Sequence, residues 1–552
     1  MPASLRVVPL GGLGEIGKNM MALEYGDDIV VIDSGILFPE EDMPGVDLVI
    51  PDITYLLENA HRVRAILITH GHEDHTGALP YVLPRLKVPV YAPRLAHGLI
   101  RVKLRQRHRL NNTQLEIAEP GCPIPLGNFE AEFFRVCHSI PDSMGIVLRT
   151  PLGTVLHTGD FKIDHTPVDG RPTSLRDIAA HCEDGILLLL SDSTYAELPG
   201  YTPSEQVVGE VLQRVIADAP GRVLVATFAS LISRIQQVFH AAVESERQVA
   251  IVGRSMVDNV NMSMHMGYLS APDDLLVSVD EAQTLDADRV VLLTTGSQGE
   301  PTSALARIAN QDHPDVRILP GDTVVMSATP IPGNELSISR IIDNLFRQGA
   351  RVLYDRVALV HVHGHASAEE LKLILNLTSP TYFVPVHGEY RHLKAHASLA
   401  HEVDIPHENI FVLEDGDVLE IDDEGARVAG HVPAGHVFVE GNTLWNANSP
   451  VLQERWRLSR EGVMVVTMRV DDYTGLLAGT PEIAFRGVVE PTDVEHLADK
   501  VGQAADELLE KESMEPESWA HTKAKLDQLV GDLVYKETGK RPMIVVMASE
   551  VP

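Results

Sequence analysis

The run Thr69-His70-Gly71-His72-Glu73-Asp74-His75 holds three histidines and an aspartate within six positions. It follows the apolar stretch Ala65-Ile66-Leu67-Ile68, which reads as a buried strand. Two histidines spaced i, i+2 in a turn can face one metal ion. Asp74 and His75 can then turn back on a second. Neutral imidazole and carboxylate are ligands that zinc and manganese accept. A solvated polar loop is the alternative, but the run sits at a strand end, where sites are usually built. Further donors occupy similar positions. His138 follows the strand-like Phe133-Phe134, Asp160 lies in the turn Thr158-Gly159-Asp160, and His387 ends Tyr382-Phe383-Val384-Pro385-Val386. Alone, each would more often be a packed or surface residue. Together they complete a two-metal set, with Asp160 placed to bridge.

The charge of such a site favours a phosphate ester. Two divalent cations bring +4, and Asp74, Asp160 and a bridging hydroxide remove three, leaving about +1. That suits an anionic phosphodiester and its more charged transition state. Metals about 3.5–4 Å apart would hold the hydroxide nucleophile and make it available at neutral pH. Asp33, in Ile32-Asp33-Ser34-Gly35, has two readings. It either fixes the tautomer and angle of a metal-bound histidine or simply forms a turn.

Short apolar runs ending in polar residues fill the first 200 residues: Ile29–Ile32, Ala65–Ile68, Thr154–His157 and Ile186–Leu190. Runs without alternation mean strands covered on both faces, hence a layered α/β architecture. From 205 to 355 the pattern becomes a cleaner strand–helix alternation, which predicts a doubly wound, Rossmann-like insertion. A strand over 359–362 and the segment 382–387 resume the first style. The spacing thus divides the chain into 1–204, an insertion 205–355, a continuation 356–430, an irregular linker 431–460, and a small α+β domain 461–552. In that last part strands are expected over 463–470, 483–489 and 543–548, and helices over 492–512 and 517–538.

The chain has 552 residues, with 45 Lys+Arg against 78 Asp+Glu, a formal charge of −33. Its 44% hydrophobic content excludes a disordered or collagen-like chain. No apolar run reaches the roughly 20 residues needed to cross a bilayer. The N-terminus lacks the layout of a signal peptide. Three cysteines, Cys122, Cys137 and Cys182, make no disulfide framework and fit a reducing compartment. These features predict a cytoplasmic protein with no membrane contact. The acidic balance taken alone argues against nucleic acid. The strongest basic run, Arg101 to Arg109, is either a contact for RNA backbone or a solvated helix face supplying local counter-charge.

Several motifs together make the sequence similar to a known family. They are Leu10-Gly11-Gly12-Leu13-Gly14-Glu15-Ile16-Gly17-Lys18-Asn19, Thr158-Gly159-Asp160-Phe161-Lys162, Thr295-Gly296-Ser297-Gln298-Gly299-Glu300-Pro301, Ser327-Ala328-Thr329-Pro330-Ile331-Pro332-Gly333-Asn334-Glu335, and Pro385-Val386-His387-Gly388-Glu389-Tyr390-Arg391. With the histidine run they resemble the ribonuclease J family, in the β-CASP branch of the metallo-β-lactamase superfamily. The resemblance implies a metallo-β-lactamase αββα sandwich (1–204 and 356–430), with a Rossmann-like β-CASP domain inserted at 205–355. The C-terminal part resembles the family in position and size only.

The resemblance further implies a metal-dependent ribonuclease. Such enzymes degrade single-stranded RNA 5′→3′ from 5′-monophosphate ends and also cut internally. They act in mRNA decay and rRNA maturation, as homodimers or homotetramers with RNA-decay protein partners. Two Zn or Mn ions per subunit are implied. His70, His72 and His138 would hold one, and Asp74, His75 and His387 the other, with Asp160 shared. Asp192, in Ser191-Asp192-Ser193-Thr194, matches an acidic motif of the family. His365, in His361-Val362-His363-Gly364-His365, matches a histidine on the scissile phosphate and is the candidate general acid. The loops 230–232 (Ser230, Leu231, Ile232) and 361–365 match substrate-binding segments. Two departures stand out: His363 replaces a serine, and Ala229-Ser230-Leu231-Ile232-Ser233-Arg234 lacks the family's Asn and His in a phosphate-gripping loop. Three other functions compete: a hydrolase of small thioesters or lactones on the same core, a non-catalytic scaffold, and a DNA-processing β-CASP nuclease, against which the histidine at 387 and the C-terminal domain count. The insertion argues against the first, and the full ligand set against the second.

Overall fold

The computed structural model describes residues 4–551 except 41–42, 299, 301–302, 330–333, 472–478, 480, 491 and 513–518. Gly299 and Pro301 of one sequence motif, and Pro330 to Gly333 of another, therefore lie outside the described residues. The chain forms two units, one of residues 1–38 and 48–437, the other of 39–47 and 438–552.

In the first unit, the apolar runs build two facing sheets. One has eight strands in the order Gly425–His431, Asp417–Asp422, Leu5–Gly11, Met20–Tyr25, Asp28–Ile32, Val63–Leu67, Val90–Ala92 and Leu115–Ile117. The other has six: Tyr382–Val386, Leu188–Asp192, Thr154–His157, Met144–Arg149, Phe129–Arg135 and Ile124–Leu126. A single core joins them. Leu23, Val30, Ile32 and Leu67 from the first meet Phe133, Ile146, Leu190 and Val384 from the second. The other face of the second sheet buries Phe134, Val147, Leu156 and Leu189 against helices Ala368–Thr378 and Tyr390–Glu402. Because both faces are covered, these strands carry no polar alternation. The αββα sandwich is as the sequence predicted. The strands Tyr382–Val386 and Asp417–Asp422, which follow the insertion, complete both sheets.

The third sheet is all parallel, in the order 276–277, 248–252, 290–294, 223–226, 323–326 and 351–353. Its side chains alternate between two cores with period two. Val223, Val225, Val291 and Leu293 pack on helices Gln206–Asp218 and Ile232–Glu244. Leu224, Ala226, Leu292 and Val324 pack on helices Ala304–Ala309 and Glu335–Arg347. That is a doubly wound insertion.

Two local expectations differ from the structure. Residues 359–362 join no ladder. Instead the Val360 carbonyl accepts hydrogen bonds from the Arg234 guanidinium at 2.9 Å and the Ser327 hydroxyl at 2.6 Å. The stretch 431–460, expected to be irregular, carries strands His436–Glu440 and Thr443–Asn446 and helix Pro450–Glu461.

In the second unit, strand Val463–Asp471 pairs antiparallel with Glu482–Arg486 and parallel with Met543–Val551. Helices Val494–Glu512 and Trp519–Thr538 cover one face through Leu497, Val501, Leu526 and Val530. No helix among the described residues is long and apolar enough to cross a membrane.

Candidate metal centre

Strand ends from both sheets converge on one cluster. His70 and His75 follow strand Val63–Leu67, Asp160 follows Thr154–His157, and Asp192 ends Leu188–Asp192. His387 follows Tyr382–Val386 and takes a left-handed backbone, φ 54°. Asp33 follows Asp28–Ile32 and is also left-handed, φ 62°.

Ligand atoms of His70, His72 and His138 lie within 4.8 Å of one another, as do those of Asp74, His75, Asp160 and His387. His72 Nδ1 is 3.0 Å from His70 Nε2 and 3.2 Å from His138 Nε2. Asp160 Oδ2 is 3.2 Å from His75 Nε2 and 3.7 Å from both His70 Nε2 and His387 Nε2. It therefore touches both groups. His387 Nε2 lies 3.3 Å from Asp74 Oδ2.

The outward ring nitrogens are held by the protein. His75 Nδ1 donates to Asp33 Oδ2 at 2.8 Å, and His138 Nδ1 donates to the Gly364 carbonyl at 2.7 Å. Each ring thus turns Nε2 inward. Asp33 also accepts from the Thr69 amide at 2.8 Å and the Thr69 hydroxyl at 2.9 Å. Of its two readings, the one in which it orients a histidine matches this geometry.

Electrostatics divide the cluster. Burial pushes His70 and His138 well below the usual imidazole range and His72 down to about 4, so all three are neutral. Burial alone would also protonate Asp74 and Asp160. His75 and His387 outweigh it and keep both carboxyls well below the usual range. Conversely, Asp160 and Asp74 overcome the burial of His75 and hold it well above its ordinary value. His387 is raised to about 9 against burial, first by Asp160. Without a metal, imidazolium charge balances the two carboxylates. This donor set of inward lone pairs and ionised carboxylates fits divalent cations.

His365 Nδ1 meets Asp192 Oδ2 at 2.7 Å, and its ring stacks on His387 with centroids 5.4 Å apart. His363 lies against Tyr195, centroids 3.9 Å apart and planes 12° apart, and its Nδ1 donates to the His365 carbonyl at 2.9 Å. Burial holds His363 at about 4, so it is neutral.

Other expected substrate residues are not brought there. Leu231 and Ile232 are buried in the core of the insertion, and so is Val362. An aliphatic side chain after a turn is drawn into the nearest core, so only backbone groups of these residues remain to meet a ligand. Ser230 is half-buried just before helix Ile232–Glu244. His361 Nδ1 is buried without a hydrogen-bond partner. Burial and then Arg234 push His361 down to about 3. Gly364 contributes its carbonyl to His138, and a Cβ there would stand 2.6 Å from His138 Nδ1.

Three site residues escaped the sequence reading. Asn19 Nδ2 donates to the Asp74 carbonyl at 3.1 Å and lies 3.2 Å from His75 Nε2. Thr69 links Asp33 to His70, its hydroxyl 3.0 Å from His70 Nδ1. The Thr194 hydroxyl sits 2.6 Å from His387 Nδ1 and 2.8 Å from Asp192 Oδ1. Asn19 closes the first sequence motif and Thr69 precedes His70. Thr194 closes the motif that holds Asp192.

Comparison with known proteins places this geometry. The profile described as metallo-beta-lactamase superfamily matches residues 13–194, and that of the ribonuclease J beta-CASP domain matches 220–345. A Zn-dependent metallo-hydrolase RNA specificity domain matches 349–412, and the ribonuclease J C-terminal domain matches 450–551. Ribonuclease J of Synechocystis sp. is 42% identical over 99% of this chain and 86% of its own. Ribonuclease J of Thermus thermophilus is 43% identical over 99% of this chain and 95% of its own. Ribonuclease J2 of Bacillus subtilis is 40% identical over 99% of both. A crystal structure of a protein of unknown function from Enterococcus faecalis V583 shares the fold, with TM-score 0.54 at 16% identity over 76% of this chain and all of that one. Likeness at this level along nearly the full length, with each domain matched in order, means that the chain belongs to the ribonuclease J family.

Proposed function

We propose that the protein is a metal-dependent ribonuclease that hydrolyses RNA phosphodiesters. It acts 5′→3′ from 5′-monophosphate ends, with additional endonuclease activity, in mRNA decay and rRNA maturation. The observation that carries this reading is the pair of donor groups meeting at Asp160, with His365–Asp192 beside them. His70, His72 and His138 would hold one divalent ion, and Asp74, His75 and His387 the other, with Asp160 reaching both. Zinc and manganese both suit these donors. Such ions would supply Lewis acidity at the phosphate and lower the pKa of water in the site.

The protein's own groups do the rest. Asp33, Gly364 and Thr194 hold the histidine rings in orientation. Asp192 accepts from His365 Nδ1 and stabilises the imidazolium. His365 Nε2 then donates its proton to the leaving 3′-oxygen as the P–O3′ bond breaks and water attacks phosphorus; the proton lost by the water passes to solvent, from which His365 is reprotonated. The products are a 3′-hydroxyl and a 5′-monophosphate, the end the next cycle prefers. A homodimer or homotetramer with RNA-decay partners completes the reading. A hydrolase of small thioesters or lactones would leave the doubly wound insertion without a task.

One RNA in 5′-monophosphate and 5′-triphosphate forms, labelled at the 3′ end, tests this with Mn²⁺ or Zn²⁺ beside His72→Ala. Fast shortening of the monophosphate form alone is expected. Discrete fragments from both forms at equal rates, with no faster shortening of the monophosphate form, would overturn the end preference. No cleavage of either would overturn the ribonuclease reading.

A further inference from the structure

Between Asp74 and Glu116 the chain carries eight Lys or Arg and not one acidic residue. The whole chain has 78 acids and 45 bases, so this segment runs against its charge. Five of the eight cations fall between Arg101 and Arg109, on and just beyond helix Arg94–Gln106.

One face of that helix is buried through Leu95, Ala96, Ile100 and Leu104. It also packs on the metal-site loop. A Cβ at Gly71 would stand 2.6 Å from Leu99 Cδ1, and Lys103 pairs with Glu73, between His72 and Asp74. The opposite face exposes Arg101, Arg105 and, past its end, Arg109. Among the described residues no carboxylate forms an ion pair with these three, whereas Lys103 has Glu73. The nearby acids engage elsewhere: Asp258 accepts from Gln106, and Glu116 accepts from Gln114.

A solvated helix face ordinarily interleaves both signs. Here Arg101 and Arg105 are like charges at i, i+4, which weakens a helix. The helix dipole favours cations in the last turn, but it does not reach Arg101. An external polyanion satisfies the arrangement. Thirteen residues make a helix about 20 Å long, room for several backbone phosphates.

We infer that this face is a track for the phosphate backbone of single-stranded RNA, leading from the loop that carries His70, His72 and Asp74. The inference rests on the ribonuclease reading above. An acidic protein partner is the rival occupant. RNA is favoured because the helix that carries these cations packs on the metal-site loop itself, through Leu99 at Gly71 and Lys103 at Glu73.

The test measures kcat/KM for a long single-stranded RNA and for a trinucleotide across salt. The subjects are the metal-loaded protein, Arg101→Gln/Arg105→Gln/Arg109→Gln, and a control triple, Arg214→Gln/Arg347→Gln/Arg351→Gln, on other exposed arginines. On long RNA, the first triple should lower the slope of log(kcat/KM) against log[salt] by about 2, three contacts at about 0.7 each. The loss between about 50 and 200 mM salt then shrinks about 20-fold. The control should keep the wild-type slope. An unchanged slope in the first triple, or equal flattening in both, overturns the track. Polyglutamate competing as strongly as polyuridylate overturns the RNA assignment in favour of a protein. Cleavage of neither RNA by wild type overturns the ribonuclease reading, a result distinct from cleavage with an unaltered slope.

Discussion

Asp192 and His365 are 173 residues apart in sequence, yet Asp192 Oδ2 lies 2.7 Å from His365 Nδ1. The Asp192 backbone amide is itself fixed by the Thr158 hydroxyl at 3.1 Å, and its Oδ1 by Thr194. The carboxylate is therefore a rigid anchor for the ring.

Asp192→Asn removes the charge and keeps the shape. kcat should fall about 100- to 10,000-fold, the range for a lost general acid. Binding of divalent ions, followed by the shift in melting temperature, should persist. An unchanged kcat would take the acid role away from His365.

Chelation of divalent ions should lower the melting temperature, because an ion bound only by the folded state stabilises it by about 4 kcal/mol at about 1,000 times its Kd. The effect should grow with pH. His75 is raised well above its ordinary value in the metal-free site and His387 to about 9, so their stabilisation is full below about pH 6.5, and that of His387 is lost as pH rises through about 9. Divalent ions displace those protons and bind more tightly over the same window. Calorimetric titrations at several pH values should show proton release on binding. A pH-independent affinity would contradict the ligand assignment.

Gly35→Ala should damage the site without touching a donor. A Cβ there would stand 1.5 Å from the Asp74 carbonyl, which already accepts from the Asn19 amide and side chain. The loop must shift, and affinity for divalent ions should drop about 10- to 100-fold. Wild-type affinity in the variant would show that the loop yields freely.

Arg234→Met should be costly although the residue lies in the insertion. Arg234 is fully buried, pairs with Glu205, and donates to Gln237 and the Val360 carbonyl. Its removal leaves the buried Glu205 carboxylate with only Lys162, 3.8 Å away and shared with Asp164, a loss worth up to about 3–5 kcal/mol. The urea midpoint should fall accordingly and recover in part with Glu205→Gln.

The histidine run, His138, Asp160 and His387 were visible in sequence because each ends an apolar run, and strand ends in this fold meet at one edge. The doubly wound insertion was visible because its strands and helices differ in period. What escaped was decided by partners. Asn19 and Thr194 are ordinary polar residues until folding brings Asp74 and His387 to them. Residues 359–362 have the pattern of a strand, but the Val360 carbonyl is taken by Arg234 and Ser327 rather than by a ladder. Leu231 and Ile232 occupy a family loop, yet their aliphatic side chains follow the core. Arg234, in the same loop, serves packing between segments.

The donors are spread along the chain from His70 to His387, and the strand that delivers His387 forms only after the whole insertion has been made. A growing polypeptide therefore cannot assemble the second half of the cluster until residue 387 has cleared the ribosome. At about 5–20 residues per second, that delay is roughly 15–60 s after His75 emerges. Until then the nascent chain lacks one donor of the second group, and 165 of the 552 residues still follow His387.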